Sequence, residues 1–176
     1  AASATITIDV SIDMNDFTIT SEAAGMIMNV GAANNFVVSG NFAISEGTLN
    51  LSNGTNTFNV LTVSGGTLVQ GASAVGVTTL NVSSGTYTPS ASDITVSGTS
   101  TISGGNFNSG TGTNTFNILT VSGGTFTQGA SAVGITTLNV SGGTYTPSAS
   151  NITVTGTSTI SGGNFTSGTG TNLFED

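Results

Sequence analysis

Eight carboxylates and two tyrosines are the only ionisable side chains in this 176-residue chain, so any acid–base or metal chemistry must start from them. Asp9, Asp13, Asp16 and Glu22 crowd the first turns of sequence, where oxygen ligands at that density could hold Ca²⁺. Their spacing matches neither an EF-hand loop nor a calcium-binding nonapeptide repeat, so Asp on a strand face is read as solvated. A glycosidase needs two carboxyl groups facing one sugar bond. Within the repeats described below only Glu46 and Asp93 are acidic, they lie far apart in sequence, and Asp93 becomes Asn151 in the next copy. No catalytic, metal or cofactor-binding residue is therefore expected, and the chain is not read as an enzyme.

The missing residue types exclude further classes. Without His or Cys there is no imidazole or thiolate for zinc, haem, iron–sulfur or nucleophile–histidine chemistry, and no disulfide. With no Lys or Arg and a net charge of −8, neither a phosphate backbone nor an anionic membrane has anything to bind. No apolar run approaches the roughly 18 residues of a spanning helix, so membrane insertion is not expected. The start at AASA, without Met, reads as a mature end left by signal-peptide removal.

What remains is hydroxyl, amide and glycine, and these are ordered by a repeat. Gly54–Thr111 laid on Gly112–Thr169, a shift of 58 residues, agrees at all but eight positions, and Phe36–Asn53 follows as a looser partial copy. Inside that period, Ser-x-Gly recurs at Ser45, Ser64, Ser83, Ser103, Ser122, Ser141 and Ser161, in steps of 19, 19 and 20 residues. The unit is thus about 19 residues, and three make one 58-residue repeat. Each unit reads as three short strands. Val133/Ile135 and Leu138/Val140 mark two of them; Thr144-Tyr145-Thr146 forms the third, past the corner Ser141-Gly142-Gly143.

These features predict an all-β fold, a parallel β-solenoid or β-helix of eight or nine three-strand coils. Strands this short do not suit a transmembrane barrel, and a β-sandwich gives no reason for the period. One inward ladder is expected along Leu49, Leu68, Tyr87, Phe107, Phe126, Tyr145 and Phe165. Another runs through Val63, Val82, Ile102, Val121, Val140 and Ile160, with Thr62, Asn81, Thr101, Thr120, Asn139 and Thr159 outward. Thr86/Thr88, Thr125/Thr127 and Thr144/Thr146 form outward Thr-x-Thr pairs of the kind that could order water. Thr67/Val69, Asn106/Asn108 and Asn164/Thr166 interrupt them.

Two regions depart from the repeat. Residues 1–35 are read as an atypical N-terminal cap or assembly segment ahead of the solenoid at 36–176. There Ile6, Ile8, Val10, Ile12 and Met14 alternate as one long strand, and Met26-Ile27-Met28 is apolar on both faces. At the other end the repeat stops at Leu173-Phe174 without a capping sequence, leaving an edge open to pairing. These ten residues are the candidate assembly interface.

The strings LTVSGGTF, TLNVSGGTY and STISGGNF resemble the Gly/Thr-rich β-solenoid repeats of secreted bacterial surface proteins, such as autotransporter passengers and filamentous adhesins. The resemblance spans about residues 36–172 and implies a parallel β-helix at the cell surface, used for adhesion or matrix. The chain departs from such adhesins in being short, without a translocator or a distinct binding domain. That points to an extracellular structural subunit that becomes long by head-to-tail self-assembly. The alternative is a monomeric binding module, a glycan adhesin or an ice-binding protein, for which glycans or ice are the partners.

Overall fold

The computed structural model describes residues 4–20, 25–31, 33–51, 53–166 and 168–175, and among them it is all-β, with no helix. Parallel strands stack at the predicted spacing into a β-solenoid of nine coils. The first coil holds β1 (Thr5–Ile8), β2 (Ile12–Met14) and β3 (Phe17–Ile19), and the second β4 (Ile27–Val30) and β5 (Phe36–Ile44). Five coils of one repeating plan follow. They are β6 (Thr48–Asn50) with β7 (Asn56–Val63), β8 (Thr67–Val69) with β9 (Val75–Val82), and β10 (Thr86–Thr88) with β11 (Ile94–Ile102). After these come β12 (Asn106–Asn108) with β13 (Asn114–Val121), and β14 (Thr125–Thr127) with β15 (Val133–Val140). The eighth coil is β16 (Thr144–Thr146), β17 (Ile152–Val154) and β18 (Ser158–Ile160), and the ninth β19 (Asn164–Phe165) and β20 (Asn172–Phe174).

The short strands form one nine-stranded sheet and the remainder an eleven-stranded sheet. Two of the three expected strands per coil are therefore continuous through most of the molecule. In β15 the inward residues are Val133, Ile135, Leu138 and Val140, so the two-residue alternation skips between Ile135 and Leu138, where the chain bends without leaving the ladder. The coil keeps three sides while its backbone makes only two sheets.

Every third coil carries an extra residue, which accounts for the 20-residue step. It is taken up beside Gly40 in β5 and Gly98 in β11, where the register shifts, and beside Gly156 between β17 and β18. A side chain at Gly98 would put its Cβ 2.6 Å from the Thr78 carbonyl oxygen of the preceding coil, and one at Gly156 would sit 2.8 Å from that of Thr136. Glycine lets the bulged backbone approach that closely.

Both predicted inward ladders are present. Leu49, Leu68, Tyr87, Phe107, Phe126 and Tyr145 are fully buried, with Phe165 half-exposed at the end. Ring centroids step by 5.2, 5.0, 4.7 and 5.1 Å from Tyr87 through Phe107, Phe126 and Tyr145 to Phe165, close to the strand spacing that sets them. The Tyr87 hydroxyl donates to Gln70 Oε1 at 3.0 Å, and Gln70 Nε2 donates to the Ser73 and Asp93 carbonyls, so this buried amide is satisfied. Burial pushes the phenols of Tyr87 and Tyr145 far above the ordinary range and keeps them neutral.

The single long strand expected over Ala4–Met14 is two strands instead. β1 pairs with β4 and β2 with β5, separated by a corner at Asp9-Val10-Ser11. Polar side chains hold that corner without glycine. Asp9 Oδ1 accepts from Asn34 Nδ2 at 3.5 Å, Ser11 Oγ accepts from the Asn35 amide at 3.0 Å, and the Ile8 carbonyl accepts from the Gly31 amide at 2.6 Å. Ile6, Ile8, Ile12, Met14, Phe17 and Ile19 thereby fall into the inward positions of a first coil, above Met28, Val30, Phe36, Val38, Phe42 and Ile44.

Candidate assembly surfaces

Along the sides of the solenoid the inward rows are closed by the coils above and below. At the two ends they are not. Among the described residues the exposed large apolar side chains are Ile6, Val10, Ile160, Leu173 and Phe174, all in the first, eighth or ninth coil. At the first coil, Ile6 is 46% exposed, and Ile8, Ile12, Met14 and Phe17 are half-buried against the core beneath. At the far end, Ile160 is 49% and Phe174 41% exposed, and Phe174 meets Phe165 edge-on at 5.9 Å. The strands at both ends of each sheet have one free edge of backbone donors and acceptors.

The ten candidate residues divide accordingly. Ile6, Ile8, Ile12, Met14 and Phe174 lie on the open end faces. Val10 sits on the corner, 65% exposed, outside the inward rows. Met28 lies beneath Ile6 and is buried, while Ile27 faces outward, half-buried, in register with Thr5 and Thr48. Met26 is at a corner, packed in part on the core, with its carbonyl accepting from the Thr48 amide. Leu173 pairs with outward Thr153, so it stands on the side of the last coil and not on its end. Burial on both sides, expected for Met26-Ile27-Met28, is thus found at Met28 alone, because adjacent strand residues point to opposite faces. Phe17, Ile160 and Phe165 belong to the end faces too; the ladders that end at Ile160 and Phe165 already contained that signal.

Acidic side chains gather at the same ends. Asp13 lies in β2, Asp9 and Asp16 flank the first-coil strands, and Glu175 follows β20 with its amide donating to the Val154 carbonyl at 2.8 Å. Glu22 and Asp176 fall outside the described residues. Asp16 braces the first coil against the second. Its Oδ1 accepts from the Asn41 amide at 2.6 Å and from Asn41 Nδ2 at 3.1 Å, beside the bulge at Gly40. Among the described residues no three His, Cys, Asp or Glu side chains come together as a metal site.

Asp93 likewise serves the scaffold. Its Oδ1 accepts from the Thr113 amide of the next coil at 2.7 Å, and Asn151 does the same for Thr171 at 3.0 Å. An amide and a carboxylate serve equally there, which explains their exchange between copies. A groove of about 340 Å³ opens near the corner before β7, lined by Asn35, Asn53, Thr55 and Ser73 among others. Its side-chain carbonyls are committed to scaffold bonds, Asn35 Oδ1 to the Thr55 amide and Asn53 Oδ1 to the Ala72 amide. Against family models, curated proteins and solved structures, the chain finds no match.

Proposed function

We propose that this protein is a structural subunit of an extracellular filament, in which the first coil of one copy stacks on the last coil of the next. The observation that carries the reading is that the first and last coils of the described residues, stacked in one parallel register, have exposed inward apolar side chains. Ile6, Ile12, Met14 and Phe17 of one copy would cover Phe165, Phe174 and Ile160 of another, the heterologous contact that propagates without closing. The bulged coils are the second, fifth and eighth. Near-identical coils suit a spacer, whose length matters more than any one residue. An extracellular place is supported by the resemblance to secreted surface repeats and by the lack of any Lys or Arg as a trypsin-type cleavage site.

Negative-stain electron microscopy of the purified chain at neutral pH tests this. The expected result is thin unbranched filaments whose diffraction shows a spacing of about 4.8 Å from coil stacking and a weaker one near 14 Å from the bulged coils. Dispersed particles the size of one chain would overturn it.

A further inference from the structure

We propose that the outer face of the nine-stranded sheet is an ice-binding surface. The pairs Thr86/Thr88, Thr125/Thr127 and Thr144/Thr146 lie outward on one side of the solenoid, with Asn106/Asn108 between the first two; Thr86, Asn106, Thr125 and Thr144 share one register row, and Asn108, Thr127 and Thr146 a second. Parallel stacking sets hydroxyls about 4.8 Å apart from coil to coil and about 6.6 Å apart along each strand. The coil-to-coil distance is near one oxygen repeat of the hexagonal ice lattice. A single hydroxyl gains nothing from ice that it lacks in liquid water, so registry across many rows must supply the affinity.

Three structural features favour this occupant. Regularity is the first: the register shifts all lie in the eleven-stranded sheet, so the extra residue of every third coil leaves this grid undisturbed. Chemistry is the second. The described carboxylates sit at corners, in β2 or beside β20, none within this sheet, so an ionic surface has nothing to hold. The aromatic rings that would stack on sugar faces point into the core, leaving none on this side for a glycan. Order is the third: these threonines are half-buried against their neighbours, so their methyl and hydroxyl groups are held in place before any ligand arrives. Binding of this kind does not require the filament.

The test uses the full chain in an ice-recrystallisation assay and in partition into slowly growing ice. Wild type is expected to keep ice grains small and to concentrate in the solid. Thr127→Tyr, which breaks the grid, should lose both effects, while Thr120→Tyr on the outer face of the other sheet keeps them. Circular dichroism checks that each variant stays folded. Asn106→Thr with Asn108→Thr fills the gap and should raise activity, a gain that misfolding cannot produce. Grain growth equal to that in albumin, with the wild-type chain folded, overturns the proposal. So does equal loss in Thr120→Tyr and Thr127→Tyr, or retention on cellulose or chitin without any enrichment in ice.

Discussion

The first coil and the interior coils reach the same geometry by different chemistry. In the interior, corners such as Ser122-Gly123-Gly124 are made of glycine because the preceding coil leaves no room: a Cβ on Gly124 would lie 2.4 Å from the Gly105 carbonyl oxygen. In the first coil no coil among the described residues stacks on the far side of the corners Asp9-Val10-Ser11 and Asn15-Asp16, and their side chains tie the loop to the second coil. A corner residue in a solenoid is therefore chosen by what stacks on it, and the same holds for burial. Phe107, between two coils, is fully buried against Tyr87, Phe116 and Phe126. Phe17 faces Phe36 and Phe42 on one side only and stays half-exposed.

The widest separation between these regions should come from truncating those two rings. Phe107→Ala should cost about 3–5 kcal/mol of unfolding free energy, the range for fully buried aromatics. Phe17→Ala should cost well under half of that, since among the described residues no ring packs on the other side of Phe17. Urea unfolding of dispersed protein measures both. Equal losses would mean that the end face is covered in solution, which is itself a sign of stacking.

Alkali separates the regions next. Tyr87 and Tyr145 are interior, and the chain has no His, Cys or Lys side chain to titrate below them. Because burial raises both phenols, they are neutral in folded and unfolded chains below about pH 10 and cost nothing there. Above it the unfolded chain ionises while the folded one does not, so stability falls by about 1.4 kcal/mol per pH unit for each tyrosine. Thermal unfolding should be level from pH 7 to 9 and then decline, and Tyr87→Phe with Tyr145→Phe should flatten the decline.

Asp16→Ala should act on the first coil alone. It removes the acceptor of two hydrogen bonds from Asn41, a loss of about 1–2 kcal/mol confined to the first two coils. Hydrogen exchange should show lost protection in β3 and the second half of β5, with β13 and β15 unchanged. Loss spread along the whole rod would refute the local account.

How much of this was legible depended on whether a neighbour leaves its mark on the sequence. The interior ladders repeat at a fixed step, so Leu49 to Phe165 and Val63 to Ile160 align from spacing alone. The first coil hid because its corner preserves parity. From Ile8 to Ile12 is four residues, so Ile6, Ile8, Ile12 and Met14 alternate as one strand would, and no glycine marks the break. Leu173 misled for the opposite reason: beside Phe174 it looked like half of an apolar pair, while only one of two adjacent strand residues can face inward. Exposure of an end face depends on what stacks there: the two ladders mark Ile160 and Phe165 as their last members, while the first coil carries no such mark.

Glycine gives the finest comparison, this time between two positions of one repeat. Gly124 is held against the coil below, but Gly134, the second residue of β15, faces outward with nothing within 4 Å of where a Cβ would stand. Its row neighbours are Thr115 and Thr153, both β-branched. Neither positive φ nor a close approach calls for glycine at 134, and a flexible residue in a strand interior is a small burden on stability. Gly134→Thr should therefore leave the fold intact and raise stability by up to about 1 kcal/mol, while Gly124→Thr should prevent that coil from closing. A matched pair of melts decides it. If Gly134→Thr destabilises instead, that side of the rod is pressed against something in solution, and the lateral face of the eleven-stranded sheet is in use.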